Sequence, residues 1–201
     1  NEEVDLSSLE DVTVCPNGAM FTTKTRGFLP KLMEKIYSER VVFKKKMIQA
    51  KKDYEKKPTK ALEKEISRCN NIQMAKKIQL NSAYGAIGNQ YFRYYMLANA
   101  EAITLGGQFS IRWIENRMNR YMNKVLKTEN KDYVIASDTD SIYLHLGPLV
   151  QVIFKDREKN VESIVSFLDK ICEVEFEKYI SSSYEALATY VNAYDQKMFM
   201  K

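Results

Sequence analysis

Two long runs of helical periodicity, separated by a proline, constrain the fold more than any other feature of this sequence. Apolar residues recur at intervals of three, four or seven on both sides of Pro58. They are Leu32, Ile36, Phe43, Met47, Ala50 and Tyr54 before it, and Leu62, Ile66, Cys69 and Ile72 after it. Pro30 suits the first turn of a helix, whereas Pro58 cannot continue one. The sequence therefore predicts two long antiparallel helices joined by a very short turn.

The same two helices carry cations and polar residues at helical spacing on a second face. Arg40 and Lys44 are four residues apart, and Lys77, Asn81 and Tyr84 fall at i, i+4 and i+7. Folding of the hairpin is expected to bring the two sets together, and converging Arg and Lys side chains suit a polyphosphate. Two ordinary basic helix surfaces would show the same spacing, so both interpretations stay open.

Lysines crowd the segment around Pro58, although the net charge of the whole chain is a modest +5. The nine are Lys44, Lys45, Lys46, Lys51, Lys52, Lys56, Lys57, Lys60 and Lys64. Such a segment can face a polyanion. A lysine-rich, solvated helix surface explains the same pattern equally well.

A polar pentapeptide, Ser137-Asp138-Thr139-Asp140-Ser141, lies between two short runs rich in β-branched and aromatic residues. This pattern predicts a β-hairpin with a polar tip. Residues two apart on an extended chain point the same way, so the carboxylates of Asp138 and Asp140 should repel each other unless a cation lies between them. Asp, Ser and Thr are also ordinary turn residues, which is the simpler interpretation.

Other segments complete the predicted element order. Val12 to Thr23 contains Pro16-Asn17-Gly18, a turn signal between two short strands. Gly85 and Gly88 are predicted to end the second helix and to permit close approach of another backbone. The run from Tyr91 to Tyr95 interleaves aromatic residues with arginine, and it suits base stacking and a buried strand equally.

Two further helices are predicted downstream. Asn99 is expected to cap the third, and Gly106-Gly107 near its start indicates tight packing there. Both helices have an apolar stripe that is expected to be buried. The stripe of the third is Ile111, Ile114, Met118, Tyr121 and Val125, and that of the fourth is Val161, Val165, Leu168, Cys172, Phe176 and Tyr179.

Composition excludes several classes of protein. With 201 residues, 45% of them hydrophobic, the chain can bury a core and form one domain or two small ones. No apolar run is long enough to span a bilayer, and no signal peptide is recognised. The three cysteines are far apart, so reduced and buried thiols in a cytosolic setting are expected. His145 is the only histidine and has no partner for a Ser/His/Asp triad.

Two motifs carry a resemblance to a known family. The stretch from Lys77 to Gly85, KIQLNSAYG, and the later stretch from Ser137 to Ser141 resemble, in that order, the KxxxNSxYG and DTDS motifs of family B DNA polymerases. The likeness is closest to the replicative polymerases of T-even-like tailed phages. It implies an α+β fold, with a long antiparallel helical hairpin, the fingers, attached to an antiparallel-sheet palm with packed helices. The implied domains are an N-terminal hairpin associated with the palm (1–27), the fingers (28–85) and the palm (86–201).

The resemblance also implies a role for each matching residue. Arg40 and Lys44 match residues that grip a nucleotide triphosphate, Lys77 matches a lysine on the same phosphates, and Asn81 lies beside them. Tyr84 matches a tyrosine that abuts the nascent base pair. Residues implied to support the site are Ser82, Gly85, Thr139 and Ser141.

Asp138 and Asp140 match the carboxylates of a two-metal Mg²⁺ site, with Asp140 the firmer ligand. Such a site transfers dNMP to a primer 3′-hydroxyl. The further metal-binding aspartate belongs to an upstream DxxSLYPS motif, and Asp5-Leu6-Ser7-Ser8-Leu9 lacks the YPS. The third carboxylate is therefore expected outside this chain.

The resemblance thus implies a fragment of a DNA-directed DNA polymerase that is inactive alone. Its expected partners are primer–template DNA, dNTPs, the missing exonuclease, N-terminal palm motif and thumb, and a sliding clamp, with no membrane. Its expected location is the cytoplasm of an infected bacterial host. Two alternatives stay open: one subunit of a split polymerase, and a non-catalytic nucleic-acid-binding module.

Overall fold

The computed structural model describes residues 4–155 and 160–200 of the chain. It contains two compact units, one spanning Thr25–Ala100 and the other combining Asn1–Lys24 with Glu101–Lys201. Residues 86–100 group with the helical pair in this division, whereas the predicted fingers end at residue 85. The functional domain boundaries stay predictions.

The predicted pair of helices is confirmed. Helix α1 spans Phe28–Lys56 and helix α2 spans Lys60–Ile87, and the two pack against each other as an antiparallel hairpin. The break between them falls at Pro58, and the hydroxyl of Thr59 caps α2 by accepting the backbone N–H of Leu62 at 3.3 Å. A short link with a strong N-cap leaves the two helices side by side.

The two helices meet along a seam of buried or half-buried residues at alternating spacings of four and three. The seam of α1 is Ile36, Arg40, Phe43, Met47, Ala50 and Tyr54, and that of α2 is Leu62, Ile66, Cys69, Gln73, Lys76, Leu80 and Ala83. This is the heptad spacing of paired helices. The predicted stripe included Leu32, which is instead exposed, and it omitted Arg40.

The glycines and aromatic residues after the seam depart from prediction. Gly85 lies inside α2 with nothing within 4 Å of an added Cβ, so only Gly88 marks the helix end. The segment from Tyr91 to Tyr95 forms turns, not a strand. Most of its side chains are exposed, Tyr91 at 87%. The buried-strand interpretation is therefore wrong.

The second unit begins with the small hairpin that the sequence predicts. Strand β1 (Val12–Val14) pairs antiparallel with β2 (Met20–Thr22), and Gly18 in the turn has a φ of +80° that suits glycine. The Asn192 side chain donates to the carbonyls of Leu9 and Val12 at 3.1 and 2.9 Å. The N-terminal segment is thereby tied to the chain that follows the last helix.

Helix α3 spans Leu97–Leu126, so Asn99 lies inside it and does not cap it. Gly106 and Gly107 have nothing within 4 Å of an added Cβ, so the predicted tight packing is absent there. The stripe is partly right. Ile114 and Met118 are fully buried, but Val125 is exposed, and Met122, which was not predicted, is fully buried.

The polar-tipped hairpin is also confirmed, as strands β3 (Val134–Asp138) and β4 (Ser141–Leu144). An irregularity in register lies between Val134 and Ala136. In the described residues, both sheets are two-stranded and antiparallel, so the structure is α+β and rich in helix. The core of the unit packs Tyr133 and Val134 against α3 and the last helix.

The predicted fourth helix consists of three consecutive pieces: α5 (Val161–Ile171), a π-helical turn (Cys172–Phe176) and α6 (Glu177–Tyr190). A separate short helix, α4 (Gly147–Ile153), comes before them. Buried residues concentrate in the later part, at Phe176, Ile180, Ser183, Tyr184 and Leu187. Val161, Val165 and Cys172 are exposed, so the first part of the predicted stripe is wrong.

Two smaller expectations can also be compared with the structure. Of the three thiols, Cys69 is buried, Cys15 is half-buried and Cys172 is exposed, and all are free. The expectation of buried thiols thus holds for Cys69 alone. None of the described helices is long and apolar enough to cross a membrane.

Candidate functional site

The acidic turn between β3 and β4 has an unusual backbone. Asp138 pairs with Ser141, so Thr139 and Asp140 alone form the loop. The Asp140 N–H donates to the Asp138 carbonyl at 2.6 Å. Thr139, between them, has a φ of +54°. This is the hydrogen-bond pattern of the rarer γ-turn. The premise that both aspartates lie on extended chain is therefore wrong, because the backbone reverses between them.

Local hydrogen bonds brace Asp138 within this turn. The Thr139 hydroxyl donates to Asp138 Oδ1 at 2.9 Å, and the Ser141 hydroxyl donates to the Asp138 carbonyl at 3.1 Å. Asp138 and Asp140 are both exposed, so their carboxylate oxygens are open to a ligand. Two carboxylates fit Mg²⁺, which usually takes one or two from a protein and completes its shell with water and phosphate. No described group of three or more His, Cys, Asp or Glu residues could hold a metal.

The cationic and polar residues of the helical unit lie along one side of its seam. Both helices are right-handed and run in opposite directions, so a residue that directly follows a seam residue turns toward the same side in each. Four of the predicted residues occupy such positions. They are Lys44, Lys77, Asn81 and Tyr84, which follow Phe43, Lys76, Leu80 and Ala83.

Arg40 lies in the seam itself. An ion pair beside it shows which residues of α2 lie at the same height along the hairpin axis. Glu39, one residue earlier, accepts a hydrogen bond from Lys76, a seam residue of α2. Arg40 and Lys77 are then about 3 Å apart along the hairpin axis, at 1.5 Å per residue. The Nε atom of Arg40 is buried and has no hydrogen-bond partner among the described residues. An orphaned guanidinium nitrogen is costly unless an acceptor arrives.

The five predicted residues of the hairpin thus lie in the seam or on one side of it, and they extend over about 20 Å from Lys44 to Tyr84. Only Arg40 and Lys77 lie at nearly the same level. The side chains of Lys44, Lys77 and Asn81 are exposed, and Tyr84 is 46% exposed. Ser82 and Gly85 are exposed on the same helix. The acidic pair belongs to the other compact unit.

Comparison with known proteins assigns the chain. The family model of DNA polymerase family B matches residues 1–183, and this stretch includes the helical hairpin and the acidic turn. The chain belongs to DNA polymerase family B.

Relatives of this family B chain include polymerases of two phages and of a yeast. It is 30% identical to the DNA-directed DNA polymerase of Enterobacteria phage T4, in an alignment covering 95% of this chain and 26% of the relative. The chain is 29% identical to the DNA-directed DNA polymerase of Escherichia phage RB69, in an alignment that covers 94% of this chain and 26% of the relative. It is also 29% identical to the DNA polymerase delta catalytic subunit of Candida albicans, in an alignment that covers 84% of this chain and 16% of the relative. The predicted likeness to T-even phage polymerases is confirmed, and the chain spans about a quarter of the phage relatives' length.

Sequence reasoning missed the residue that positions the acidic hairpin of this family B chain. The Asn119 side-chain carbonyl, on α3, accepts the backbone N–H groups of Tyr133 and Val134 at 2.8 and 2.9 Å. The His145 N–H donates to the Tyr133 carbonyl at 2.7 Å, which closes the base of the hairpin. An isolated Asn inside a helical pattern gives no signal of such a contact.

A second missed residue, Tyr184 of α6, is buried near the acidic turn. Burial raises the pKa of its phenol, and the negative charge of Asp140 raises it further. Tyr184 therefore stays neutral where a phenolate would repel the aspartate. A groove of about 410 Å³ opens beside Asp140, and Glu177 and Phe199 also line it.

Proposed function

We propose that this chain supplies the fingers and palm of a DNA-directed DNA polymerase, which transfers dNMP from a dNTP to a primer 3′-hydroxyl. The single observation that supports this most is the family B match over residues 1–183, because that stretch contains both sets of site residues. The chain spans about a quarter of its phage relatives. The activity therefore belongs to an assembly or a longer polypeptide that includes it.

In this proposal the helical hairpin binds the triphosphate. Arg40 in the seam and Lys77 beside it lie nearly level along the hairpin axis, and Arg40 presents a buried nitrogen that lacks an acceptor among the described residues. A guanidinium fork and an ammonium together neutralise phosphate oxygens, and this electrostatic work is most of what phosphoryl transfer requires of a protein. Lys44 and Asn81 extend the set, and Tyr84 abuts the nascent base pair.

Asp138 and Asp140 would hold Mg²⁺ through their exposed carboxylates. The bound ion supplies a Lewis acid that stabilises charge on the attacking and leaving oxygens. Within the chain, the Thr139 and Ser141 hydroxyls orient Asp138 by the hydrogen bonds they donate. A third carboxylate comes from a polymerase portion outside this sequence, so the chain alone is inactive.

The proposed partners follow from the same activity. They are primer–template DNA, dNTPs, the remaining polymerase portions with the exonuclease and thumb, and a sliding clamp. The phage relatives support action in DNA replication within the cytoplasm of an infected bacterium.

The test is templated primer extension by a chimera in which this chain replaces the matching quarter of the phage T4 polymerase. We expect extension with Mg²⁺, and a loss of at least a hundredfold in kcat for Asp140→Asn. The matched control is Asp169→Asn, an exposed aspartate on α5, which should keep full activity. Equal activity of both variants would contradict the metal role. If the chimera is inactive, Mg²⁺-dependent binding of a fluorescent dNTP analogue by the 201-residue chain decides the nucleotide role.

A further inference from the structure

Positive charge is concentrated in one of the two compact units. Residues 25–100 contain 17 Lys and Arg residues against 6 Asp and Glu residues. The rest of the chain contains 14 against 20, so it is acidic overall. The net charge of the whole chain therefore conceals a strongly basic helical hairpin.

Much of this charge lies toward the far end of the hairpin, in residues 45–64, which we call the lysine tip. All eight of its lysines are exposed, and none forms an ion pair among the described residues. Only Asp53, Glu55 and Glu63 oppose them within the tip, and Asp53 already accepts a hydrogen bond from Gln49 at 3.0 Å. Cations of like sign at this density repel one another, and an anionic partner relieves the repulsion.

Most of the tip lies too far from the proposed nucleotide site to serve it. Lys52 and Lys56 are 12 and 16 residues beyond Arg40 on the same helix. Those separations correspond to about 18 and 24 Å along the axis at 1.5 Å per residue. Exposed charges are screened over about 8 Å at physiological ionic strength. A single triphosphate at Arg40 is therefore not what these lysines bind.

The lysines form rows that suit a nucleic-acid backbone. Lys45, Lys52 and Lys56 fall at i, i+7 and i+11 and share one face of α1, while Lys60 and Lys64 form a second row on α2. Steps of about 10 and 6 Å within the first row both exceed the axial spacing of phosphates in one strand of a duplex, about 3.4 Å, so successive lysines can meet different phosphates. Both rows face away from the seam, on opposite outer faces of the hairpin, because their residues lie two positions from a seam residue. A flexible single strand meets both rows by passing around the end of the hairpin.

The apolar content of the tip disfavours a protein partner. Stable protein interfaces are built on buried aromatic or aliphatic anchors. The only aromatic residue of the tip, Tyr54, is half-buried in the seam, and Ile48 is its one exposed large apolar side chain. The structure describes the whole tip, and no aromatic ring is exposed there. Bases therefore have no ring to stack on, so binding depends on the phosphates alone.

We propose that the lysine tip binds the phosphate backbone of single-stranded DNA, without sequence preference, at a place separate from the nucleotide site. The proposal rests on the polymerase function proposed above, which supplies the DNA. It adds a second binding surface, which extends to about 24 Å from Arg40 along the hairpin at Lys56, and which holds the strand outside the primer–template junction.

The test compares two triple variants of the 201-residue chain that remove equal charge. The tip variant is Lys45→Gln with Lys52→Gln and Lys56→Gln. The control variant is Lys124→Gln with Lys170→Gln and Lys178→Gln, three exposed lysines on helices of the other unit. Glutamine keeps the helix propensity of lysine, and circular dichroism melts check the fold. The probe is a fluorescent 20-nucleotide oligothymidylate, titrated at several salt concentrations without Mg²⁺.

We expect the tip variant to bind at least tenfold more weakly at physiological salt. Its slope of log K against log salt should be smaller in magnitude by about 2, because each phosphate that a lysine neutralises on a single strand adds about 0.7 to that slope. The control variant should keep the slope of the unmodified chain. Equal changes in the two variants would mean that net charge alone acts, and would overturn the proposal.

Further arms separate the remaining outcomes. Tighter lysine-dependent binding of a 20-base-pair duplex, or of polyglutamate, would overturn the assignment to single strands or to nucleic acid. If the tip variant is destabilised, Lys60→Gln with Lys64→Gln tests the second row instead. Binding of a fluorescent dNTP analogue with Mg²⁺ should be the same in the tip variant as in the unmodified chain. That readout distinguishes failure of this inference from failure of the proposed nucleotide site.

Discussion

The side-chain carbonyl of Asn119 accepts the backbone N–H of Tyr133 at 2.8 Å, and this hydrogen bond fixes the start of β3 against α3. The same oxygen accepts the N–H of Val134 at 2.9 Å, and both residues are buried. Removing the acceptor leaves two buried N–H donors without a partner, and each unsatisfied donor costs about 1–3 kcal/mol of stability. We expect Asn119→Ala to lower the free energy of unfolding by about 2–4 kcal/mol.

Denaturant unfolding monitored by Trp113 fluorescence measures this loss, since Trp113 is the only tryptophan and lies on the same helix. The control is Asn116→Ala, an exposed asparagine of α3, which should change stability by less than about 0.5 kcal/mol. If both substitutions cost the same, Asn119 does not anchor the hairpin.

Thr139 has a φ of +54°, a conformation that is strained for a β-branched residue. Asparagine tolerates the left-handed region much better. We expect Thr139→Asn to raise the free energy of unfolding by about 0.5–1 kcal/mol and to increase Tm. Thr139→Val is the matched control, because it keeps the branched side chain and removes the hydrogen bond to Asp138, so it should give no gain. A lower Tm for the asparagine variant would show that the strain is not stored there.

The helical pair and both hairpins could be predicted because their signals are local. Pro58 ends one helical pattern and Pro16-Asn17-Gly18 reverses the chain, whatever the rest of the molecule does. The side on which Lys77 and Tyr84 lie also follows from local spacing. Arg40 in the seam was missed, since an arginine in an apolar row gives no signal until its partner helix is in place.

The longer-range features could not be predicted from spacing. The π-helical turn Cys172–Phe176 inserts extra residues into one turn, which shifts the buried face between Val165 and Ile180. Asn119 of α3 accepts a hydrogen bond from the backbone of Tyr133, 14 residues later in the chain. The spacing of apolar residues in the sequence gives no sign of that contact. The γ-turn about Thr139 likewise depends on how the two strands close.

Lys77 and Lys35 provide a test of the side of the hairpin that binds nucleotide. Lys77 directly follows a seam residue, whereas Lys35 directly precedes one, Ile36, and so lies on the opposite side with Glu39. We expect Lys77→Ala to weaken Mg²⁺-dependent binding of a fluorescent dNTP analogue about tenfold, which is the loss of one charged hydrogen bond. Lys35→Ala, also an exposed lysine of the hairpin, should leave binding unchanged. Similar losses in both variants would point to general charge and not to a site.

Glu65 makes the stability of the hairpin depend on pH. The pKa of its carboxyl falls from 4.5 to about 2, mainly because Arg68 donates hydrogen bonds to it at 2.9 and 2.7 Å, and secondly because the Cys69 thiol donates at 3.2 Å. A group whose folded pKa is below its unfolded value contributes stability above the unfolded value, and that contribution is lost as pH falls through the folded value. The contribution of Glu65 should therefore be complete above pH 4.5 and lost toward about pH 2.

We expect the stability difference between the unmodified chain and Glu65→Gln to shrink over that pH range. Thermal melts followed by helical circular dichroism at a series of pH values measure it, and added salt should reduce it, because Glu65 is partly exposed. Glu63→Gln is the control, since Glu63 is an exposed neighbour with no ion pair among the described residues. A stability difference for Glu65→Gln that is independent of pH would mean that the ion pair with Arg68 does not persist in solution.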